Sequence, residues 1–151
     1  MTAVNDHACA LEINDIGILI KGKSGIGKTS LMLGLLERAK LEKFNAFMIA
    51  DDQVFLNVYD EKLIASAPEN TAGLVELRGY GILRMPHIKS CEIKVVVNIL
   101  EDKKIERMPD AKHHLFETLR LPLIEVPQRH ESLAVRIVFA WVNENASLQV
   151  Y

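Results

Sequence analysis

With 151 residues, 49% of them apolar and 25% charged, the chain has the composition of one compact globular domain, long enough to bury about two-thirds of its unfolded surface. A formal net charge of −2 supplies no global basic field, so neither nucleic acid nor an anionic membrane surface is an expected partner. No apolar run approaches the ~20 residues of a spanning helix, and the opening MTAVNDHACA lacks the basic start and apolar core of a secretory signal.

Alternation and short apolar runs predict strands over Ala8–Ile13 and Gly17–Lys21. After a glycine-rich turn, the helical spacing of apolar residues in KTSLMLGLLERAK predicts a helix over Lys28–Lys40. Strands follow at Ala46–Ala50, Val54–Val58, Lys62–Ala65, Leu74–Leu77 and Glu92–Leu100, with no convincing helix between Ala46 and Leu100. The segment PDAKHHLFETLRL, Pro109–Leu121, reads as polar and irregular, with room for one helical turn. A further strand is predicted near Leu123–Val126, then a largely buried helix over Ser132–Val142 with Ser132 as its candidate N-cap. Cys9 and Cys91 are isolated thiols in strand segments without metal spacing, read as buried free thiols of a cytoplasmic protein. Without repeats or a Pro/Gly-rich linker, one domain over residues 1–151 is expected. The fold class is α/β, richer in strands than a nucleotide kinase with alternating helices.

Gly22-Lys23-Ser24-Gly25-Ile26-Gly27-Lys28-Thr29 matches G-x-x-x-x-G-K-[ST] in full, directly after a strand and before a helix. Glycines let the backbone wrap close to oxyanions, while loop N–H groups and the helix N-terminus supply positive potential. In such a loop the lysine reaches the β- and γ-phosphates and the hydroxyl ligates Mg²⁺, which assigns Lys28 and Thr29 to a nucleotide or polyphosphate and its metal.

The strand AFMIA ends in Asp51-Asp52, where one acidic residue suffices to organise the metal. A second carboxylate can meet an incoming hydroxyl and take its proton. On spacing alone, one Asp could instead cap a turn while the other is solvated. In VELRGYGI, Glu76 and Arg78 share one strand face. The two suit Mg²⁺ ligation with phosphate clamping, although taken alone such a pair is more often a surface ion pair.

In this order and spacing, GKSGIGKTS, IADDQV, ASAPE and VELRGYGI resemble the catalytic domain of bacterial HPr kinase/phosphorylase, from about His7 to Val142. The resemblance implies a strand-rich P-loop kinase domain similar to the catalytic core of phosphoenolpyruvate carboxykinase, assembled as a homohexamer. It implies Mg²⁺- and ATP-dependent phosphorylation of a serine of HPr or an HPr-like phosphocarrier protein of a phosphotransferase system. Many members also reverse this with inorganic phosphate, releasing pyrophosphate. By the same resemblance Lys28 is the P-loop lysine, Thr29 and Glu76 the metal ligands, and Asp51-Asp52 the pair that contains the proton acceptor. Val75 to Arg84, with Arg78, covers the catalytic strand-turn. His7 matches an active-site histidine before the first strand, and Arg107 an arginine near the transferred phosphate; without the resemblance both read as surface residues.

Departures accompany the match. The chain resembles a short form carrying the catalytic domain alone. Ser30 stands where the family commonly has Glu, and PQRHES replaces P-V-R-P-G-R-N before the last helix, keeping Pro127 and Arg129. That region is tied to phosphorolysis, so the forward reaction is expected to dominate. Two other readings keep the P-loop: a small-molecule kinase, against which stands the missing Arg-rich lid segment, and a non-catalytic nucleotide or phosphate sensor, which has no need of a spare base.

Overall fold

The computed structural model describes residues 3–147. Strands β1 (Val4–Asp6), β2 (Cys9–Ile13) and β3 (Ile16–Lys21) lead into helix α1 (Lys28–Leu41). Next come β4 (Ala46–Ala50), β5 (Val54–Tyr59), β6 (Lys62–Ser66), β7 (Leu74–Leu77), β8 (Gly81–Arg84) and β9 (Ser90–Leu100). The chain continues through β10 (Lys112–Phe116) and β11 (Leu119–Pro127) to α2 (Glu131–Ser147). Single 3-10 turns lie at Glu69–Thr71 and Asp102–Lys104.

Among the described residues, nine strands form one mixed sheet organised around β9. One edge of β9 pairs in parallel with β3. The other edge is shared: its first half takes β6 antiparallel and its second half takes β11 in parallel. The sheet therefore forks along β9. A strand in that position is covered on both faces, and Val95, Val96 and Val97 are all buried in succession. Gly17 lets β3 and β9 come together, because a Cβ there would lie 2.0 Å from the Glu92 carbonyl oxygen.

Helices α1 and α2 cover one face of the sheet, burying Leu31, Met32, Leu35, Val138, Phe139 and Val142. Phe44 stacks on Phe139 at 6.0 Å between centroids, and the Arg38 guanidinium lies over the Phe139 ring. On the opposite face Leu19, Ile49, Leu56, Leu63 and Val96 form a second core, partly roofed by Phe116 and Leu121 of the β10–β11 hairpin. No helix among the described residues is long and apolar enough to cross a membrane.

Pro109–Leu121 departs from the sequence expectation. It holds β10 and the start of β11, joined by a turn with Glu117 at φ +52. The inward positions of β10 are Lys112, His114 and Phe116, so polar side chains occupy the half-buried face and hide the alternation. Ser132 is not an N-cap: α2 already begins at Glu131, and the Ala134 N–H donates to the His130 carbonyl at 2.9 Å. The short β1 and the separate β8, neither predicted, each pair with one neighbour.

Candidate active site

The phosphate loop leaves β3 after Lys21 and closes over Ile26, which is buried in the core beneath it. Gly25 and Gly27 lie at φ +77 and +111, with nothing within 4 Å of where a Cβ would sit. Their role is conformational, since L side chains rarely adopt that backbone. Gly27 is the N-cap of α1; no side chain caps the helix, and its first turn holds no acidic residue. The helix N–H groups and positive dipole end are left to an anion.

Lys28 is only 8% exposed. Its Nζ donates to the carbonyls of Gly22 at 2.8 Å and Lys23 at 3.1 Å. An ammonium has three donors, so this geometry holds the lysine along the loop with one donor left for a phosphate oxygen.

The two aspartates at the end of β4 separate in depth. Asp51 turns beneath the loop: its Oδ1 accepts the Thr29 hydroxyl at 2.6 Å and the Cys9 thiol at 3.3 Å, and its Oδ2 accepts the Glu76 N–H at 3.3 Å. Asp52 is exposed and left-handed at φ +66. That turn directs the second carboxylate into a cavity of about 510 Å³ that Lys28, Thr29, Glu76 and Arg78 also line. Glu76 lies on β7; Arg78 opens the turn to β8, where the Tyr80 N–H donates to the Leu77 carbonyl. The structure thus brings Lys28, Thr29, Asp51, Asp52, Glu76 and Arg78 to one place.

Two predicted residues do not line this cavity. His7 is exposed in the bend between β1 and β2. Arg107 follows the second 3-10 turn and lines another cavity, of about 400 Å³, with Lys112, Glu125 and Trp141. There the Lys112 ammonium bridges Glu106 at 2.8 Å and Glu125 at 2.5 Å, and these two carboxylates hold it well above its ordinary pKa.

Three features escape a sequence reading. A second opening of about 630 Å³ lies on the other side of the loop, lined by Lys21, Lys23, Asn98, Lys104 and Gln128. Ser30 donates a short hydrogen bond to Glu131, tying α1 to the start of α2. Cys9 sits behind Thr29 and Asp51, where burial first, and then the Asp51 charge, push its thiol up to about 12. Only the lysines carry a signal in the sequence, as cations flanking the loop and the 3-10 turn.

The described residues contain no cluster of three His, Cys, Asp or Glu side chains able to enclose a metal. A hydroxyl and a few carboxylates beside a phosphate cradle do fit Mg²⁺, which keeps several waters and shares phosphate oxygens with its nucleotide.

Known proteins resemble this chain in sequence and in fold. A family model described as the HPr Serine kinase C-terminal domain matches residues 2–150. The HPr kinase/phosphorylase of Clostridium tetani is 31% identical over 134 residues, which cover 86% of this chain and 42% of that protein. That of Pediococcus pentosaceus is 35% identical over 136 residues, 82% of this chain and 41% of the relative. The chain therefore spans about two-fifths of the length of these curated relatives. A solved structure of the Hpr(Ser) kinase/phosphatase from Coxiella burnetii matches with a TM-score of 0.79 at 22% identity, covering 97% of this chain and 99% of that one. The strand-rich α/β fold is shared.

Proposed function

The chain belongs to the HPr serine kinase C-terminal domain family, and on that premise we propose that it is a single catalytic domain phosphorylating a serine of an HPr-like phosphocarrier protein. ATP is the proposed donor, Mg²⁺ the cofactor, the cytoplasm the setting and a homohexamer the assembly. The observation that supports this reading best is the division between the two aspartates. Asp51 is committed beneath Thr29, while Asp52 lines the open cavity beside Lys28.

In this reading the loop N–H groups and the N-terminus of α1 hold the phosphate oxyanions, and the free donor of Lys28 binds the β/γ-phosphates. Because the Thr29 proton goes to Asp51, the threonine lone pairs are free to ligate a cation, with Glu76 as the second protein ligand. Mg²⁺, when bound, neutralises charge across the β- and γ-phosphates. A serine hydroxyl entering the cavity meets Asp52, which accepts its proton; in phosphorolysis Asp52 returns it. Arg78 clamps the phosphate from the β7–β8 turn. His7, two residues before Cys9, and Arg107, on the loop after the second 3-10 turn, are proposed to act on the transferred phosphate.

Phosphorolysis needs inorganic phosphate in the place of the β-phosphate, where its oxygen attacks the phosphorus of phosphoserine, the serine oxygen leaves and pyrophosphate forms. Glu131 puts a carboxylate against Ser30 in the first turn of α1, and repulsion there disfavours a second anion. We therefore propose that reverse transfer is slower than forward transfer at matched substrate levels.

The test is incubation with Mg²⁺, γ-labelled ATP and HPr-type proteins from the same genome, with the label mapped to a residue. Label on a serine supports the reading. Nucleotide binding without label on any partner overturns it in favour of a sensor.

A further inference from the structure

Strands β2 and β4 run antiparallel with Ala10 opposite Ala50. The next positions outward are Cys9 and Asp51, which places a thiol beside the carboxylate under the phosphate loop. Cys9 has no exposed surface and belongs to the core under α1. The other residues of β2 on that face, Leu11 and Ile13, are aliphatic. If volume were all that mattered at position 9, Ala or Val would serve.

The polar geometry gives the sulfur a further role. Its Sγ lies 3.3 Å from Asp51 Oδ1, to which the thiol donates, and 3.9 Å from Thr29 Oγ1. With the Thr29 hydroxyl and the Glu76 N–H, three donors from β2, α1 and β7 converge on one carboxylate. Each constrains its rotation. If Asp51 swung away, the Thr29 hydroxyl could donate back to a carbonyl of its own chain, as helical threonines do, and its lone pairs would turn from the cavity.

We propose that Cys9 is a positioning residue for the cation site: its thiol fixes Asp51 beneath Thr29 and so keeps the threonine lone pairs aimed at the place where Mg²⁺ binds. The proposal rests on the kinase reading of the site. Cys9 touches neither nucleotide nor metal; it acts through Asp51.

The test compares Cys9→Val, which stays apolar, adds a β-branch and loses the donor, with Cys9→Ser, which restores a donor. The readout is binding of a fluorescent ADP as Mg²⁺ is titrated, with no phosphoryl transfer involved. Losing a partner behind a metal ligand costs about 10- to 100-fold in metal affinity, and a thiol is a weak donor, so half-saturating Mg²⁺ should rise about tenfold in C9V. Metal-free ADP affinity should stay within about twofold, because the phosphate cradle itself is untouched. C9S should fall within about threefold of wild type.

A C9V titration that superimposes on wild type overturns the proposal. So does C9S shifted as far as C9V, because the effect is then one of packing. If C9V is too unstable to assay, Cys9→Ala removes the same donor without adding a branch and carries the comparison. Failure of the wild-type chain to bind ADP in a Mg²⁺-dependent way refutes the kinase reading itself, a result distinct from an unshifted C9V.

Discussion

Replacing each aspartate of the pair by asparagine should give two different failures. At Asp52 the exposed side chain and left-handed backbone suit Asn as well as Asp, so D52N should melt within about 2 °C of wild type. It loses a general base, which is worth about 10²- to 10⁴-fold in rate, while Mg²⁺-dependent nucleotide binding stays intact. At Asp51 the same change is structural. If the amide oxygen keeps the bonds from Thr29 and Cys9, the new NH₂ faces the Glu76 N–H, now 3.3 Å from an acceptor. Two donors then oppose each other, and leaving one unsatisfied costs about 1–3 kcal/mol. For a chain of this length a 2 kcal/mol loss lowers Tm by about 4–8 °C. D51N should also raise the Mg²⁺ requirement. Label transfer from γ-labelled ATP, a fluorescent-nucleotide titration and a thermal melt separate the two. Wild-type transfer by D52N, or a wild-type melt for D51N, would refute the division of roles.

Lys28→Ala should slow transfer by about 10²- to 10³-fold through loss of a charge-stabilising donor, and unchanged turnover would remove the P-loop assignment. Gly17→Ala places a Cβ 2.0 Å from the Glu92 carbonyl oxygen; overpacking between two central strands should cost at least about 2 kcal/mol, read as a lower urea midpoint. Burial, then nearby carboxylates, push the thiols of Cys9 and Cys91 from 9.0 to about 12. Between those values the native chain keeps protons that the unfolded chain has lost, so their contribution is complete below about pH 9 and fades towards 12. Urea midpoints should therefore fall as pH rises above about 9, and less steeply in Cys91→Ala; equal slopes would contradict the assignment.

Much of the site is legible in the sequence because it is local. Gly22 to Thr29 is one loop, and Asp51 and Asp52 end an unbroken apolar strand, so neighbours in the chain remain neighbours in space. The segment around β10 was hidden because its inward face carries Lys112 and His114, residues whose long or polar side chains tolerate half-burial. What separates Asp51 from Asp52 is a single left-handed residue, and Asp at positive φ has no signature apart from the turn it makes. Cys9 was invisible for another reason. Its partners Thr29 and Asp51 reach it through β-pairing and helix packing from well downstream, which no periodicity encodes.

The fork along β9 bears on the order in which the molecule assembles. The strand that launches the phosphate loop, β3, leaves the ribosome well before its parallel neighbour β9, which follows only after five intervening strands and a helix. Until β9 arrives, one flank of β3 has no hydrogen-bonding neighbour, and β6 is paired on its β5 side alone. Such long-range closure slows folding and leaves apolar strand edges exposed in the nascent chain. A stalled chain released before Leu100 should therefore lack a nucleotide cradle even though every residue of the loop has already been synthesised, and that chain is the one expected to need a chaperone.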